Sequence, residues 1–326
     1  MNSRRALLAA IGVSLAAPRA AWAQPARQAR VVVLFAGDAE DDEPAVRPFF
    51  DEMHRLGWVE DRNIAYERLS GRGMRDYLEQ LVSVAADRGP DLIFATSASI
   101  ALAAIKVTDK LPVVFTTTSD PVTSGLVASL ARPGRNATGV QRASGNVVAR
   151  RFALLKEARP GVGRIGYLLD RRAPDYERQK QAHQDAAQRA KLELSLAEFT
   201  NYEAVAKLLA GFRRDGVTVV VVGSSLTLFA RRRDIGMFAA RNGLALVAHR
   251  VEWADAGALL TYGADIADSL RRGARIASRI LKGAQPAAIA VEQSEKFELV
   301  LNLKTAGALG LTLPAALLKR AHRVID

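Results

Sequence analysis

The sequence contains no cysteine and only four histidines among its 326 residues. Without cysteine the chain has no disulfides, thiolate metal ligands or thiol nucleophiles, and it lacks the lipid-bearing cysteine of a bacterial lipoprotein. The histidines, at positions 54, 183, 249 and 322, are too widely spaced for the usual metal-binding motifs. We therefore predict neither a metal nor any other cofactor.

The sequence also lacks an apolar run as long as a membrane-spanning helix, which needs about 20 residues. Its first 23 residues instead have the three parts of an export signal: two arginines, the apolar run 6–17, and the small-residue cleavage site Ala21-Trp22-Ala23. We expect cleavage near Ala23 and a periplasmic mature protein that does not insert into the membrane. Arg4 and Arg5 are compatible with both the general and the twin-arginine export route.

Acidic residues are in the minority, because 46 lysines and arginines against 34 aspartates and glutamates give a formal net charge of +12. Such an excess can indicate nucleic-acid binding. Here the basic residues are dispersed, and the densest cluster is Arg231 to Arg233. An exported protein seldom meets DNA, so we expect no nucleic-acid partner.

Apolar runs of strand length alternate with amphipathic segments of helix length after the leader, which is typical of parallel sheets covered by helices. The first series has predicted strands at 31–36, 63–69, 91–95, 112–116 and 137–141, and predicted helices at 44–56, 75–87, 99–107 and 124–131. The second has strands at 165–169, 193–199, 217–222 and 244–248, and helices at 176–190, 202–214 and 228–242. The tail adds strands at 258–262 and 297–303 and helices at 266–282 and 304–309. We predict an α/β protein with two doubly wound, Rossmann-like lobes, a hinge and an interlobe cleft, with ligands at the carboxyl ends of the strands.

No common catalytic motif is present. The sequence has no G-x-x-x-x-G-K-[ST] phosphate loop, no H-E-x-x-H and no G-x-S-x-G. Gly71-Arg72-Gly73 begins like a dinucleotide fingerprint, but it follows the second strand, and position 76 is aspartate. We therefore expect no catalytic residues and no enzyme, and we keep a periplasmic enzyme on a two-lobe scaffold only as a third hypothesis.

Small polar residues gather at strand-to-helix junctions in the first half. Thr96, Ser97, Ala98 and Ser99 follow the third strand, where free backbone N–H groups and hydroxyls either bind a carboxylate or form a plain N-cap. After the fourth strand come two more hydroxyls and a carboxylate, from Thr117, Thr118 and Asp120. Asp120 could pair with a ligand ammonium, or simply cap the helix that follows.

Equivalent strand ends of the second half also carry polar or aromatic side chains. Asp170 follows the strand at 165–169, and Ser224 follows the strand at 217–222. Arg250 comes after the strand at 244–248, and Tyr262 ends the next strand. Tyr262 could stack on an organic ligand, or pack in the core as most aromatics near a strand end do.

Several separated motifs resemble a known family. They are the run from Ser119 to Gly134, Asn136-Ala137-Thr138-Gly139, the segment from Leu56 to Ile64, Leu260-Thr261-Tyr262-Gly263, and the run from Lys296 to Ala306. Taken in their order along the chain, they resemble the ABC transporter substrate-binding proteins of the tryptophan/tyrosine-binding type. The resemblance implies a type I periplasmic binding fold, whose two lobes are joined by three crossovers and clamp a ligand. It also implies delivery of a solute to an inner-membrane ABC permease that is powered by a cytoplasmic ATPase.

This fold implies lobes at 31–142 plus 257–284 and at 143–256 plus 285–326, in a protein expected to be a monomer. The ligand-binding residues expected in the cleft are Thr96, Ser97, Ala98, Ser99, Thr117, Thr118, Asp120, Asp170, Ser224, Arg250 and Tyr262. The sequence departs from the family at two places. Many members have Gly-Gly-Thr-Pro where this chain has Thr96-Ser97-Ala98-Ser99, and they have Trp-Asn-Pro where this chain has Leu169-Asp170-Arg171. We therefore expect a small organic solute, an amino acid or a related carboxylate, and do not carry over tryptophan. The alternative function is a co-receptor that presents its closed lobes to a periplasmic sensor without transport.

Overall fold

The computed structural model describes residues 27–37, 39–142 and 146–326. The predicted export signal at residues 1–23 lies outside this part of the chain. Within it, no helix combines the length and the apolar character needed to cross a membrane.

The described chain alternates strands with helices, as predicted. The strands are β1 (Ala29–Phe35), β2 (Ile64–Ser70), β3 (Leu92–Ala95), β4 (Val113–Thr117), β5 (Ala137–Gln141), β6 (Arg164–Asp170), β7 (Glu193–Phe199), β8 (Val219–Val222), β9 (Ala245–Ala248), β10 (Leu260–Ala264), β11 (Glu292–Gln293), β12 (Phe297–Asn302) and β13 (Arg323–Ile325). The helices are α1 (Ala39–Arg55), α2 (Leu78–Asp87), α3 (Ala98–Val107), α4 (Val147–Ala158), α5 (Tyr176–Arg189), α6 (Glu203–Arg214), α7 (Leu226–Ala230), α8 (Arg232–Arg241), α9 (Glu252–Asp255), α10 (Ile266–Leu281), α11 (Leu303–Ala308) and α12 (Ala315–Leu318).

The first sheet has the strand order β11-β5-β4-β3-β1-β2, and all of its pairs are parallel. Its strand β1 is a nearly continuous apolar run because both faces of the sheet are covered. Val32 and Leu34 pack in a core with α2 and α3, while Val31 and Val33 pack in a core with α1 and α10. Because successive side chains of a strand point to opposite faces of the sheet, the apolar residues of β1 are shared between two cores.

The second sheet has the order β13-β12-β10-β9-β8-β6-β7 and is parallel except where β10 meets β12. It too is buried on both faces. Tyr167, Val219 and Val221 pack in a core with residues of α4 and α5. Val220 and Val222 point to the opposite core, which also holds side chains of the first sheet. The predicted arrangement of two doubly wound α/β units is therefore present.

The sheet pairings differ from the predicted lobe boundaries. We assigned residues 257–284 to the first lobe, but β10 at 260–264 lies in the second sheet, where Leu260 pairs with Val247 on β9 and with Leu301 on β12. We assigned residues from 285 onward to the second lobe, but β11 pairs with β5 in the first sheet. These partners are set by long-range register, which local sequence does not encode. The chain crosses between the sheets three times, between β5 and β6, between β10 and β11, and between β11 and β12.

Two predicted helices are wrong in detail. Residues 124–131 form turns rather than a helix, because Gly125 has a φ of 78° and the backbone N–H groups of Leu126 and Val127 both donate to the Pro121 carbonyl. The helix expected at 228–242 is two helices, α7 and α8, which meet at Arg231. Helix α4 was not predicted at all.

Candidate functional site

A cavity of about 130 Å³ lies where the carboxyl ends of parallel strands from the two sheets face each other. Residues after β4 and β5 of the first sheet line one side, and residues after β8 and β9 of the second line the other. Helices α4 and α5 contribute further side chains. Its polar lining includes Thr118, Asp120, Arg142, Arg151, Ser224 and His249.

A second cavity, of about 40 Å³, adjoins the first, because both are lined by Thr118, Arg142, Ser224 and His249. The smaller cavity also borders Ser97, Ala98, Ser99 and Thr117 from the first sheet, and Arg250 from the second. Together the two cavities bring eight of the eleven predicted ligand-binding residues into one region: Ser97, Ala98, Ser99, Thr117, Thr118, Asp120, Ser224 and Arg250.

Side chains from the two sheets bond directly to each other around these cavities. The hydroxyl oxygens of Thr118 and Ser224 are 2.5 Å apart. The Ser119 hydroxyl, which follows β4, donates to Asp175 Oδ1 at 3.0 Å, just before α5. Opening the cavities by moving the sheets apart would break these bonds, so the described arrangement is a closed one.

The start of α3 is an N-cap, which was one of the two interpretations of residues 96–99. Ser97 Oγ accepts the backbone N–H of Ile100 at 3.3 Å. Ser99 Oγ accepts a hydrogen bond from Arg75 Nη1 at 2.8 Å. Thr96 does not line either cavity, because its hydroxyl donates to the Leu34 carbonyl at 2.9 Å, inside the sheet.

Asp170 and Tyr262 also lie beside the cavities rather than in their lining. The buried Asp170 carboxylate accepts the Arg172 backbone N–H at 2.8 Å and the Ser225 hydroxyl at 2.6 Å. The Tyr262 ring stacks on Phe297, with a centroid separation of 5.8 Å. Both side chains are held by protein partners, and this keeps them out of the lining. Their position at a strand end was not enough to predict that they line the cavities.

Asp120 lines the larger cavity, but both of its oxygens have protein partners. Oδ1 accepts the backbone N–H groups of Val122 at 2.9 Å and Thr123 at 2.8 Å, and Oδ2 is bonded to Arg178 of α5. Burial raises the pKa of Asp120, but the Thr123 N–H and the Arg178 charge outweigh it and hold the pKa below the ordinary value. Asp120 is therefore an ionised carboxylate in a turn, and there is no helix here for it to cap.

Arg250 borders the smaller cavity with its charge already paired. Its Nε donates to Glu252 Oε2 at 3.2 Å, and its guanidinium lies 3.7 Å from the centre of the Phe229 ring. Burial raises the pKa of Glu252, but the Arg250 charge and hydrogen bond lower it by more. The pair contributes no net charge to the cavity.

The sequence analysis missed Arg142, which lines both cavities. It follows β5 directly and is 4% exposed, and its Nη2 donates to the carbonyls of Thr96 at 3.1 Å and Thr116 at 3.4 Å. Among the described residues its Nε has no acceptor and no carboxylate comes within ion-pair distance. Burial lowers the pKa of Arg142 to about 9, so it is protonated at neutral pH.

Arg151 of α4 is a second buried guanidinium in the lining, and it too was missed. It is 3% exposed, and its Nε donates to the Tyr262 carbonyl at 3.0 Å. Burial lowers the pKa of Arg151 to about 10, and it forms no ion pair with the described residues. Arg151 lies on α4, a helix that the sequence analysis did not predict, so it was not considered as a site residue.

His183 on α5 gives the larger cavity a neutral hydrogen-bond acceptor. Its Nδ1 is 2.7 Å from the Gln179 carbonyl, and since a carbonyl only accepts, Nδ1 carries the proton. Burial lowers the pKa of His183 to about 3, and its Nε2 has no partner among the described residues. Nε2 is therefore an unused hydrogen-bond acceptor.

The described residues contain no cluster of three or more side chains suited to hold a metal ion. The polar groups of the cavities are hydroxyls, amides, guanidiniums, imidazoles and carboxylates from both sides. This arrangement can bind a small polar molecule.

Comparison with known proteins identifies the class. The model of the family described as "ABC transporter substrate binding protein" matches residues 30–325. The chain belongs to this family, which confirms the resemblance found in the sequence. It is a family of substrate-binding proteins rather than of enzymes.

Individual relatives agree with that assignment. The chain is 22% identical over 269 residues to a tyrosine-binding protein of Clostridioides difficile (strain R20291), which covers 82% of this chain and 77% of the relative. It is similar to a crystal structure of a conserved domain protein from Vibrio cholerae, with a TM-score of 0.84, 23% identity, and coverage of 91% and 100% of the two chains. A Streptococcus pneumoniae ABC domain in complex with L-Trp has the same TM-score of 0.84, with 22% identity and coverage of 91% and 100%. The predicted type I periplasmic binding fold is confirmed.

Proposed function

We propose that the chain is the periplasmic solute receptor of an ABC importer, and that it holds a small organic solute, an amino acid or a related carboxylate, between its lobes. The observation that carries the proposal is the pair of adjoining cavities lined from both sheets. A ligand that contacts both lobes favours the closed arrangement, because only there are all its contacts made.

The proposed solute contacts are the residues that border the cavities from each side. Thr118, Asp120 and the turn at 97–99 serve from the first lobe, and Ser224 and Arg250 from the second. Asp170 and Tyr262 then support the site from behind. The ligands named for the relatives, tyrosine and L-Trp, favour a solute of amino-acid size.

The export signal of residues 1–23 supports a periplasmic location, with cleavage near Ala23 and release of a monomer. Family membership implies a transporter partner, which we take to be an ABC permease in the inner membrane. Family membership favours transport over the alternative function as a co-receptor, which no observation specifically supports.

A thermal-shift screen of the purified mature protein tests the proposal. The panel contains amino acids, aromatic acids, dicarboxylates and nucleosides. A ligand at 100 times its dissociation constant stabilises the folded state by about 2.7 kcal/mol, which raises the melting temperature of a protein of this size by a few degrees. We expect a saturable shift for one chemical class, and no shift with any of them would contradict the receptor function.

A further inference from the structure

The charges that line the larger cavity do not balance. Its described lining contains three arginines, Arg142, Arg151 and Arg178, and two aspartates, Asp120 and Asp175. Arg178 is paired with Asp120. The histidines of the lining, at 183 and 249, are neutral, because burial lowers the pKa of each. The lining therefore carries an excess of one positive charge.

The positive charge is concentrated on buried groups. Arg142 and Arg151 are 4% and 3% exposed, whereas Arg178 and its partner Asp120 are partly exposed. A guanidinium in a low-dielectric interior is costly unless an anion compensates it. The carbonyl oxygens that accept from Arg142 and Arg151 carry only partial charge, so both cations are left without a full counter-charge.

Arg142 also has an unused donor. Its Nη2 is directed to the carbonyls of Thr96 and Thr116, but its Nε, which is buried, has no acceptor in the described chain. A buried donor without a partner costs about 1 to 3 kcal/mol. A carboxylate placed in the cavity would satisfy Nε and neutralise the charge together.

Asp120, the first carboxylate of the lining, is a poor partner for an ammonium group. Both oxygens of Asp120 are occupied by Arg178 and two backbone N–H groups. Asp175 accepts the Ser119 hydroxyl at 3.0 Å and the Gln179 side-chain amide at 2.9 Å through Oδ1, and its Oδ2 has no partner in the described chain, so a single ammonium group could be placed there. A zwitterion adds no net charge, so it would leave the excess positive charge uncompensated.

We propose, building on the proposed function, that the solute is an organic anion that carries a carboxylate and no ammonium group, and that Arg142 binds its carboxylate. Arg151 supplies a second positive charge, and neutral His183 accepts a hydrogen bond from a hydroxyl or N–H elsewhere on the solute. This selects carboxylic acids over amino acids within the wider class of solutes proposed above.

Matched sets of compounds test this selection without any mutation. Each set compares an amino acid, its deaminated acid and its decarboxylated amine: L-tryptophan, indole-3-propionate and tryptamine; L-tyrosine, 3-(4-hydroxyphenyl)propionate and tyramine. Affinities for the purified mature protein are measured by isothermal titration calorimetry. We expect the acid that fits the cavity to bind at least tenfold more tightly than its amino acid, and the amine without a carboxylate not to bind.

Variants then locate the carboxylate. We expect Arg142→Gln to weaken binding of the preferred acid at least thirtyfold, because it removes the charge and the Nε donor. The matched control is Arg150→Gln, which makes the same change at an exposed position of α4 and should leave affinity unchanged. Circular dichroism and the melting temperature without solute show whether Arg142→Gln still folds, and the compound sets decide the question in the wild-type protein if it does not.

The outcomes separate the two proposals. Tighter binding of an amino acid than of its deaminated acid, or undiminished acid binding by a folded Arg142→Gln variant, would overturn the inference and leave the receptor function standing. Binding of an uncharged nucleoside but of no acid would overturn it as well. Absence of binding by every acid, amino acid, amine and nucleoside would overturn both proposals.

Discussion

The hydroxyl oxygens of Thr118 and Ser224 lie 2.5 Å apart, although the two residues follow strands of different sheets. Ser224 is fixed in turn by Gln179, whose side chain bonds both the backbone N–H of Ser224 at 2.8 Å and its carbonyl at 2.9 Å. The contact therefore joins the loop after β4 to the fixed loop after β8, directly between the lobes and at a point that borders both cavities. We call this hydrogen bond the latch, because the stronger it is, the less readily the lobes separate.

We predict that Thr118→Val shifts the solute-free protein toward a more open arrangement. The substitution keeps the shape of the side chain and removes the hydrogen bond to Ser224, which is worth about 1 kcal/mol, or roughly a fivefold change in the closed-to-open ratio. Small-angle X-ray scattering should give a larger radius of gyration for this variant. Ser83→Ala, a hydroxyl deletion at an exposed position of α2, is the control. Identical scattering from the two variants would show that the latch does not hold the lobes.

A second prediction concerns the ion pairs that tie α1 to α10. Glu52 on α1 accepts hydrogen bonds from Arg55 at 2.8 Å and from Arg275 on α10 at 2.9 Å. The hydrogen bond from Arg55, together with the Arg275 bond and both positive charges, outweighs burial and lowers the pKa of Glu52 to about 2. Since the folded pKa lies below the unfolded value of 4.5, the stabilisation is fully present above pH 4.5 and is lost as the pH falls toward 2.

Glu52→Gln should therefore lower the free energy of unfolding by about 1 kcal/mol at pH 7, a modest value because both arginines are partly exposed to water. The difference from the wild type should shrink steadily below pH 4.5. Urea denaturation followed by circular dichroism at pH 7, 4.5 and 3 measures it. A difference that stays constant over this range would mean that the carboxylate charge does not contribute.

The strands and the fold class could be predicted from the sequence because strands buried on both faces are continuous apolar runs. The run at Val31–Phe35 is recognisable for this reason. The strand at 258–262 was recognised too, but its assignment to the first lobe was wrong. Its partners, β9 and β12, are chosen by register over long sequence distances, and nothing in the five residues themselves records that choice.

The candidate site was predictable where strand ends carry small polar residues. Thr118, Asp120 and Ser224 were found in this way, and they line the cavities. Arg142 stands directly after β5 and could have been found by the same rule applied to the fifth strand. Arg151 could not, because a buried arginine looks the same in sequence as the many exposed ones. Burial of a charged residue is a property of the packed structure.

A third prediction follows from the two buried histidines. Burial lowers the pKa of His183 from 6.5 to about 3, and it lowers the pKa of His249 well below its ordinary value. In the unfolded chain both rings take up a proton as the pH falls below about 6.5, while in the folded protein they stay neutral. The unfolded state then binds more protons, so the free energy of unfolding falls with decreasing pH and is unaffected by these groups above pH 7.

Each histidine contributes a slope of up to about 1.4 kcal/mol per pH unit between pH 6 and 4.5. His183→Gln should lower the slope of unfolding free energy against pH by the contribution of one histidine. This holds whatever the substitution does to the absolute stability. Urea denaturation at half-unit steps of pH gives the slope for both proteins. Equal slopes would show that His183 is protonated in the folded state or already neutral in the unfolded one.

The last prediction tests the close approach of β4 and β5, the two strands whose ends carry Thr118 and Arg142. A Cβ added at Gly139 of β5 would lie 2.0 Å from the Phe115 carbonyl oxygen of β4, which is backbone and cannot rotate away. Gly139→Ala should therefore destabilise the protein by about 3 kcal/mol, at the upper end of the range for overpacking, and weaken solute binding by displacing the strand ends. Gly161→Ala is the matched control, because nothing lies within 4 Å of its added Cβ. Thermal unfolding of both variants measures the effect, and similar melting temperatures would mean that the strands move apart at little cost.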